Sequence, residues 1–282
     1  MPPSPPIVLS IAGSDCSAGA GAQADLKTFT ALGCYGLTAL TSVVAEVPAK
    51  VEAIQNLDPA IVTAQIEVLA HSFPIRAVKT GMLGGHAQIA AVLRGLQALP
   101  ATLPLVVDPV MISTSGARLL DDDGMELLTT GLFARALVIT PNLDEAAALM
   151  GARPTSKKEM EQCARELVSQ YHCAVLLKGG HLEGDASDLL AEKGGLTWFE
   201  GRRQEGMHTH GTGCTLSAAI TAGLGQGLSL GDAVGRAKRF TVAAIAQHFR
   251  WGQGAATVDA LNHGADGSLQ PGAPVLSTGT NS

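Results

Sequence analysis

A short glycine-rich segment in the last quarter of the chain has the residue types of an anion-binding turn. It consists of Gly211, Thr212, Gly213 and Cys214, and the residues that follow predict a helix beginning at Thr215. Glycine frees the backbone to curl, and the exposed N–H groups of such a turn, with the positive end of the helix dipole, bind anions. Cys214 would lie at the helix N-terminus, where the pKa of a thiol is commonly lowered. The alternative is a glycine-rich helix cap in which Cys214 fills the core.

Two acidic residues and one lysine follow apolar runs that have the character of buried strands. Asp108 and Lys178 end such runs, and Glu145 comes five residues after the end of another. Asp108 could bind magnesium or polarise an attacking hydroxyl, Glu145 could face magnesium or its coordinated water, and Lys178 could contact a polyphosphate. Each residue also has a structural alternative: a loop cap for Asp108, a capping box of Asn142 with Glu145, and a solvated turn for Lys178.

A second glycine-rich loop extends from Gly13 to Gly21, between a predicted strand and a predicted helix. It has some likeness to a dinucleotide-binding loop, but its glycines do not have the G-x-G-x-x-G spacing, and Glu46 is only an approximate match to the expected acidic residue. The chain also has no G-x-x-x-x-G-K-[ST] motif. A Rossmann dehydrogenase is therefore a weak alternative.

The elements that must position these residues alternate between apolar runs and helical patterns. Continuous apolar strands separated by helices are typical of a mostly parallel sheet covered on both faces, the α/β class. Ligands bind such sheets beyond the carboxyl ends of the strands, where most of the residues above are expected. The predicted strands are Ile7–Ala12, Leu37–Val47, Ala77–Thr80, Leu105–Asp108, Leu137–Thr140 and Ala174–Leu177. The predicted helices are Gly21–Leu32, Pro59–His71, Ala87–Leu99, Lys157–Tyr171, Thr215–Gly223 and Leu230–Phe249.

The domain organisation predicted from composition is simple. Residues 1–6 are proline-rich and are expected to be a disordered lead-in, residues 7–263 form one domain, and the Gly/Ser/Pro-rich residues 264–282 are expected to be a disordered tail. Residues Leu189–Phe199 predict a hairpin around Gly194 and Gly195, which could serve as a flap or as an interface.

Composition excludes several classes of function. The formal net charge of −6 provides no basic field for a nucleic acid or an anionic membrane. No apolar run approaches the roughly 20 residues of a membrane span, and the N-terminus does not resemble a signal peptide. The five cysteines are scattered without a C-x-x-C pair, which argues against a disulfide framework or a zinc site. We therefore expect a cytoplasmic protein whose partner is a small molecule.

Six segments, in this order, together resemble one known family. They are IAGSDCSAGAGAQADLKTFTALGCYGLTALTSVVAE, KTGML, VVDPVM, TPNLDEAAAL, LLKGGH and HGTGCTLSAAI. They resemble the hydroxymethylpyrimidine/phosphomethylpyrimidine kinases of thiamin biosynthesis, members of the ribokinase-like superfamily, and the resemblance extends from Ile7 to Phe249. It implies a three-layer α/β/α fold, a phosphotransferase that uses ATP and Mg²⁺, and a homodimer.

The resemblance also implies roles for individual residues. The turn formed by Gly211, Thr212, Gly213 and Cys214 would be the anion hole, and Cys214 would accept or orient the proton of the substrate hydroxyl. Most ribokinase relatives have an aspartate at this last position, whereas the pyrimidine-kinase branch has cysteine. Asp108 and Glu145 would serve magnesium. ATP would be contacted by Lys178, Asn142 and Thr212.

The substrate pocket implied by the resemblance contains Gly13, Ala20, Met82 and Val110, together with Glu46. In the pyrimidine kinases the position of Glu46 is typically glutamine, which both donates and accepts hydrogen bonds, whereas an ionised glutamate only accepts. It could still hold an exocyclic amine and a protonated ring nitrogen as a charge-assisted pair. The alternatives are a pyridoxal-type kinase, from a related branch that also has the GTGC cysteine, and a catalytically silent ligand-binding relative.

Overall fold

A computed structural model describes residues 4–48, 50–111, 120–180, 186–201, 210–252 and 257–265. Its strands are β1 Ile7–Asp15, β2 Tyr35–Val47, β3 Lys50–Asn56, β4 Ile75–Thr80, β5 Leu105–Val107, β6 Val138–Ile139, β7 Ala174–Lys178, β8 Asp188–Glu192, β9 Gly195–Phe199, β10 Phe249–Trp251 and β11 Val258–Ala260. Its helices are α1 Gly21–Ala31, α2 Pro59–Ser72, α3 His86–Gly95, α4 Asp122–Leu127, α5 Phe133–Arg135, α6 Leu143–Met150, α7 Lys157–Tyr171, α8 Thr212–Gly225 and α9 Leu230–Ala246.

Nine strands form the central sheet in the order β3-β2-β1-β4-β5-β6-β7-β8-β9. The six strands from β2 to β7 in this order are mutually parallel, and β3 and β8 run antiparallel to their neighbours. Strands β10 and β11 form a separate antiparallel pair. The prediction of a mostly parallel sheet is confirmed, with antiparallel strands added near both edges.

Two hydrophobic cores lie on opposite faces of this sheet. Leu9 and Ile11 of β1 point into one core, whereas Val8 points into the other, as the two-residue period of a strand requires. Helices α2, α3, α6 and α7 cover the first face, and α8 and α9 cover the second. The result is the expected three-layer α/β/α arrangement, in which continuous apolar strands are buried on both sides.

Most predicted elements are present, and the differences have local causes. Helix α7 has the predicted bounds, and the predicted hairpin is formed by β8 and β9. Helix α8 begins at Thr212, three residues earlier than predicted, so that Cys214 lies within its first turn. Strand β3 was not predicted, because its largely exposed residues show no apolar alternation and it is defined by pairing with β2.

None of the helices in the described part of the chain is long and apolar enough to cross a membrane. The division into a lead-in, one domain and a tail stays a prediction, because residues 1–3 and 266–282 lie outside the described part of the chain. The role of the β8–β9 hairpin as a flap or as an interface also stays a prediction.

Candidate active site

Charged residues from three neighbouring strands meet at the carboxyl edge of the sheet. The Nζ atom of Lys178, at the end of β7, lies 2.8 Å from Oδ1 of Asp108, which follows β5. The same ammonium lies 3.9 Å from Oε2 of Glu145 in the first turn of α6. Thr140, after β6, donates a hydrogen bond of 3.0 Å to Asp108. The parallel order of β5, β6 and β7 therefore brings together residues 70 positions apart in sequence.

Asp108 is almost completely buried and is held as a carboxylate by its surroundings. Burial alone would raise its pKa, but the ammonium groups of Lys178 and Lys79 and the hydrogen bond from Thr140 lower it. Ser217, on α8, donates to the other oxygen at 3.2 Å. Asp108 thus links the lysine at the sheet edge to the helix that carries the glycine-rich turn.

Asn142 and Glu145 form a complete capping box at the start of α6. Asn142 Oδ1 accepts from the Glu145 N–H at 2.8 Å, and Glu145 Oε2 accepts from the Asn142 N–H at 2.7 Å. The structural alternative for these residues is therefore confirmed. Burial raises the pKa of Glu145 to about 7, although the charge of Lys178 opposes the shift. One carboxylate oxygen is committed to the cap, and the carboxyl group still lies beside Lys178.

The glycine-rich turn fits closely against its surroundings. Gly211 precedes α8 with φ of +81°, in the left-handed region that favours glycine, and a Cβ atom there would lie 1.8 Å from the carbonyl oxygen of Gly19. A Cβ on Gly213 would lie 3.2 Å from Lys178 Nζ. The turn therefore contacts the N-terminal glycine-rich loop on one side and the lysine–carboxylate cluster on the other. Thr212 is the first residue of α8 and so lies at the positive end of the helix dipole.

Cys214 has a different electrostatic state from the one that the sequence indicates. Burial raises the pKa of its thiol to about 11, although Lys79 and a hydrogen bond from the Gly21 N–H oppose the shift. The expectation of a lowered pKa at a helix N-terminus was wrong, because desolvation of the thiolate outweighs the favourable dipole. Cys214 is therefore a neutral thiol at pH 7, which can orient a hydroxyl group but must lose its proton before acting as a base.

The N-terminal glycine-rich loop is fastened to the glycine-rich turn by Asp15 and His210. Asp15 accepts hydrogen bonds from the N–H groups of Ser17 at 2.7 Å, Gly19 at 3.1 Å and Ala20 at 2.7 Å, and His210 Nε2 lies 3.1 Å from its Oδ2. Against the effect of burial, these bonds lower the pKa of Asp15 to about 2. Ala20 is consequently held at the start of α1, directly beside the turn at Gly211.

The residues expected around the substrate ring are partly brought together. The N–H of Gly13 donates to the carbonyl of Met82 at 2.9 Å, and a Cβ on Gly13 would lie 2.6 Å from Met82 Cε. Val110 lies in the loop after β5, where its N–H donates to the carbonyl of Asp108. Val110 is therefore placed beside Asp108 of the lysine–carboxylate cluster.

Glu46 lies near the end of β2, and its carboxylate is close to the Asp15–His210 pair. Ligand-type atoms of Asp15, Glu46 and His210 all lie within 4.8 Å of one another. Both oxygens of Asp15 already accept N–H groups, so the three side chains do not offer the free donor set of a metal site. Asp108 and Glu145 suit a hard divalent cation better, because carboxylate oxygens are the ligands that magnesium prefers.

Comparison with known proteins assigns this arrangement to a family. A family model described as phosphomethylpyrimidine kinase matches residues 15–259, which is most of the chain. The chain belongs to this family. A hydroxymethylpyrimidine/phosphomethylpyrimidine kinase from Streptomyces coelicolor is 41% identical over 258 residues, which cover 92% of this chain and 95% of the relative.

Solved structures of the phosphomethylpyrimidine kinase family and of pyridoxal kinases share the fold. A phosphomethylpyrimidine kinase from Clostridium difficile is 39% identical, with a TM-score of 0.75 and coverage of 85% of this chain and 99% of that chain. An ADP complex of Bacillus subtilis pyridoxal kinase is 34% identical, with a TM-score of 0.83 and coverage of 93% and 98%. Sequence identity is therefore higher to the pyrimidine kinase and backbone similarity is higher to the pyridoxal kinase. The ribokinase-like fold is confirmed by both.

Four further ionisable residues have no role assigned from the sequence, although they lie within the segments that resemble the family. Lys79 on β4 and Asp25 on α1 form a completely buried ion pair, with both Asp25 oxygens 2.7 Å from Lys79 Nζ. Asp15 and His210 form the second missed pair. The sequence signal for Lys79 and Asp15 was their position near the carboxyl ends of predicted strands, whereas Asp25 resembled an ordinary helix residue.

Proposed function

We propose that the protein is an ATP-dependent kinase that phosphorylates 4-amino-5-hydroxymethyl-2-methylpyrimidine and its monophosphate in thiamin biosynthesis. The observation that carries this proposal is the close approach of the glycine-rich turn to the Lys178–Asp108 pair. A Cβ atom added to Gly213 would lie only 3.2 Å from Lys178 Nζ. A helix N-terminus beside a buried cation is suited to a transferring phosphoryl group. The names of the relatives indicate the substrate.

The first N–H groups of α8 and the ammonium of Lys178 would neutralise charge on the transferred phosphoryl group. The transition state of phosphoryl transfer is loose, so alignment and charge stabilisation contribute more than a strong base does. The protonated state of Cys214 is compatible with this chemistry, because the thiol needs only to orient the substrate hydroxyl toward the phosphorus atom. When the Lys178 ammonium turns toward the phosphates, Asp108 would lose this hydrogen-bond donor.

ATP and magnesium are the proposed cofactors. Asn142, Lys178 and Thr212 would contact the nucleotide, and Asp108 and Glu145 would serve the magnesium ion directly or through its waters. When bound, magnesium would offset the negative charge of the ATP phosphates. The fit is supported by two buried carboxyl groups, Asp108 and Glu145, which lie 2.8 Å and 3.9 Å from Lys178 Nζ. Binding of a cation there would favour loss of the proton that Glu145 holds below its pKa of about 7.

The proposal is tested by coupled ADP release with Mg-ATP and three substrates: hydroxymethylpyrimidine, its monophosphate and pyridoxal. We expect turnover of both pyrimidines and a loss of at least about 100-fold in kcat for Lys178→Met. Lys193→Met is the matched control, because Lys193 is exposed in the β8–β9 turn, and it should retain wild-type activity. Turnover of pyridoxal alone would refute the substrate assignment, and equal activity of the two variants would refute the assigned site.

A second candidate is pyridoxal as the substrate. The higher TM-score with Bacillus subtilis pyridoxal kinase favours it. The higher sequence identity to pyrimidine kinases favours the first candidate. The same assay distinguishes the two substrates.

We also propose that one domain spanning residues 7–263 forms a cytoplasmic homodimer. All five cysteines are free, as is usual in a reducing compartment. Val43, Val47 and Ile54 expose apolar side chains on the β2–β3 edge of the sheet, which supports a protein contact there. Light scattering should give a dimer for the wild type and for Val68→Glu, an exposed control on α2, and a monomer for Ile54→Glu. A monomeric wild type would refute the dimer.

A further inference from the structure

Glu46 differs from the other acidic side chains of the site because no partner for its carboxylate lies within the described residues. Asp108 is paired with Lys178, Asp25 with Lys79, and Asp15 with three backbone N–H groups and His210. The backbone of Glu46 bonds with the thiol of Cys16. Within the described residues, its carboxylate has no hydrogen-bond donor. Its oxygens are not buried from solvent, so both acceptor sites are open to a ligand that carries donors.

The surroundings of Glu46 favour a cationic ligand. Asp15 faces it from the end of β1, His210 from the turn before α8, and the Cys16 thiol from the glycine-rich loop. Burial, followed by the negative charge of Asp15, raises the pKa of Glu46, and His210 opposes the shift. Two neighbouring carboxylates with one imidazole leave this part of the pocket negative, so a positive charge on the ligand would lower the cost of ionising Glu46.

The two oxygens of a carboxylate accept two parallel N–H donors, as in its bidentate pairs with guanidinium groups. A neutral aminopyrimidine presents one donor, the amino group, beside one acceptor, the ring nitrogen. It matches a carboxylate only when that nitrogen is protonated. We propose that Glu46 binds the cationic form of the substrate, in which the ring nitrogen is protonated; this rests on the proposed function. When the neutral substrate binds, its ring nitrogen therefore takes up one proton from solvent.

Bidentate binding by Glu46 restricts the substrate class to heterocycles in which an amino group adjoins a ring nitrogen. Pyridoxal has no amino group beside its ring nitrogen, so it cannot offer two parallel N–H donors to Glu46. The structure therefore favours the pyrimidine over pyridoxal at this position. The 4-desamino analogue of hydroxymethylpyrimidine should also bind more weakly, because it retains only one of the two donors.

The test is calorimetric binding of hydroxymethylpyrimidine at pH 8, without ATP, in buffers of different ionisation enthalpy. The wild type should take up about one proton, and its Kd should rise about tenfold between pH 8 and pH 9. Glu46→Gln should still bind, since glutamine can both donate and accept, but with no proton uptake and no such rise in Kd. Glu52→Gln, the same change at an exposed position on β3, should behave as the wild type.

Binding of hydroxymethylpyrimidine by the wild type without proton uptake would overturn this inference and leave the proposed kinase activity intact. Equal proton uptake by the wild type and Glu46→Gln would also overturn it, because the proton would then belong to another group. If the wild type binds pyridoxal but not the pyrimidine, both the proposed function and this inference are wrong.

Discussion

Replacing Lys79 by methionine should destabilise the protein strongly, because the ion pair that it forms is completely buried. Lys79 and Asp25 have no exposed side-chain surface, and both carboxylate oxygens lie 2.7 Å from the ammonium. Burial alone would lower the pKa of Lys79, but the charge of Asp25 raises it, so the lysine remains charged. Ser10 completes the group by donating a hydrogen bond of 2.5 Å to Asp25. Without Lys79, the carboxylate keeps its desolvation cost and loses its counter-charge.

Breaking a buried ion pair on one side costs about 3–5 kcal/mol. For a domain of this size, Tm shifts by about 2 °C per kcal/mol, so Lys79→Met should lower Tm by about 6–10 °C. The double variant Lys79→Met/Asp25→Leu removes both charges and should recover most of this loss, since apolar replacement of a buried pair is often neutral. Ser10 then loses its acceptor, which leaves a residual cost of about 1–3 kcal/mol.

The assay is urea unfolding of the four members of this double-mutant cycle at pH 7.5, with Tm from calorimetry. The coupling energy between Lys79 and Asp25 should be at least about 2 kcal/mol. Lys50→Met is the matched control, because Lys50 pairs with Glu52 on the surface with both side chains about two-thirds exposed, and its loss should cost under about 1 kcal/mol. A loss of unfolding free energy for Lys79→Met no larger than that of the control would refute this prediction. So would a double variant that is no more stable than Lys79→Met.

Two further predictions concern the glycine-rich turn and the carboxyl group at the start of α6. Gly211→Ala should lower kcat/KM at least about 100-fold, because its φ is left-handed and a Cβ there would lie 1.8 Å from the Gly19 carbonyl oxygen. The control is Gly231→Ala, where a Cβ meets nothing within 4 Å, and its steady-state kinetics should match those of the wild type. Equal kinetics for the two variants would contradict the tight fit of the turn. Because the pKa of Glu145 is raised from 4.5 to about 7, its contribution to stability is full at low pH and is lost as the pH rises from about 4.5 to about 7. Urea unfolding should therefore show Glu145→Gln gaining stability relative to the wild type between pH 5 and pH 8, and a constant difference would contradict the shift.

The lysine–carboxylate cluster at the sheet edge could be anticipated without a structure. Asp108 and Lys178 each follow a short apolar run, and parallel strands place such residues at one edge. The capping box of Asn142 and Glu145 is a local pattern of residues three apart, and the structure contains it. Helix α7 likewise has the bounds that its apolar period predicts. These features depend on neighbours in sequence or on a single rule of topology.

Long-range pairing could not be anticipated in the same way. Lys79 and Asp25 are 54 residues apart, and His210 and Asp15 are 195 apart. Nothing in the sequence near either member of a pair indicates the other, because the pairing depends on which strands become neighbours and on how closely α1 and α8 approach. Strand β3 is a related case, since its exposed residues become a strand only by pairing with β2.

The amino-acid sequence by itself determined the α/β class, the order of the elements and the residue types available at the carboxyl edge of the sheet. These properties follow from hydrophobic periodicity, turn residues and motif spacing, all of which are local. Only the tertiary structure decided the charge states: the Cys214 thiol is protonated, Glu145 titrates near neutral pH, and Glu46 has no donor among the described residues. The physical reason is that desolvation and nearby charge set a pKa, and both are properties of the folded surroundings.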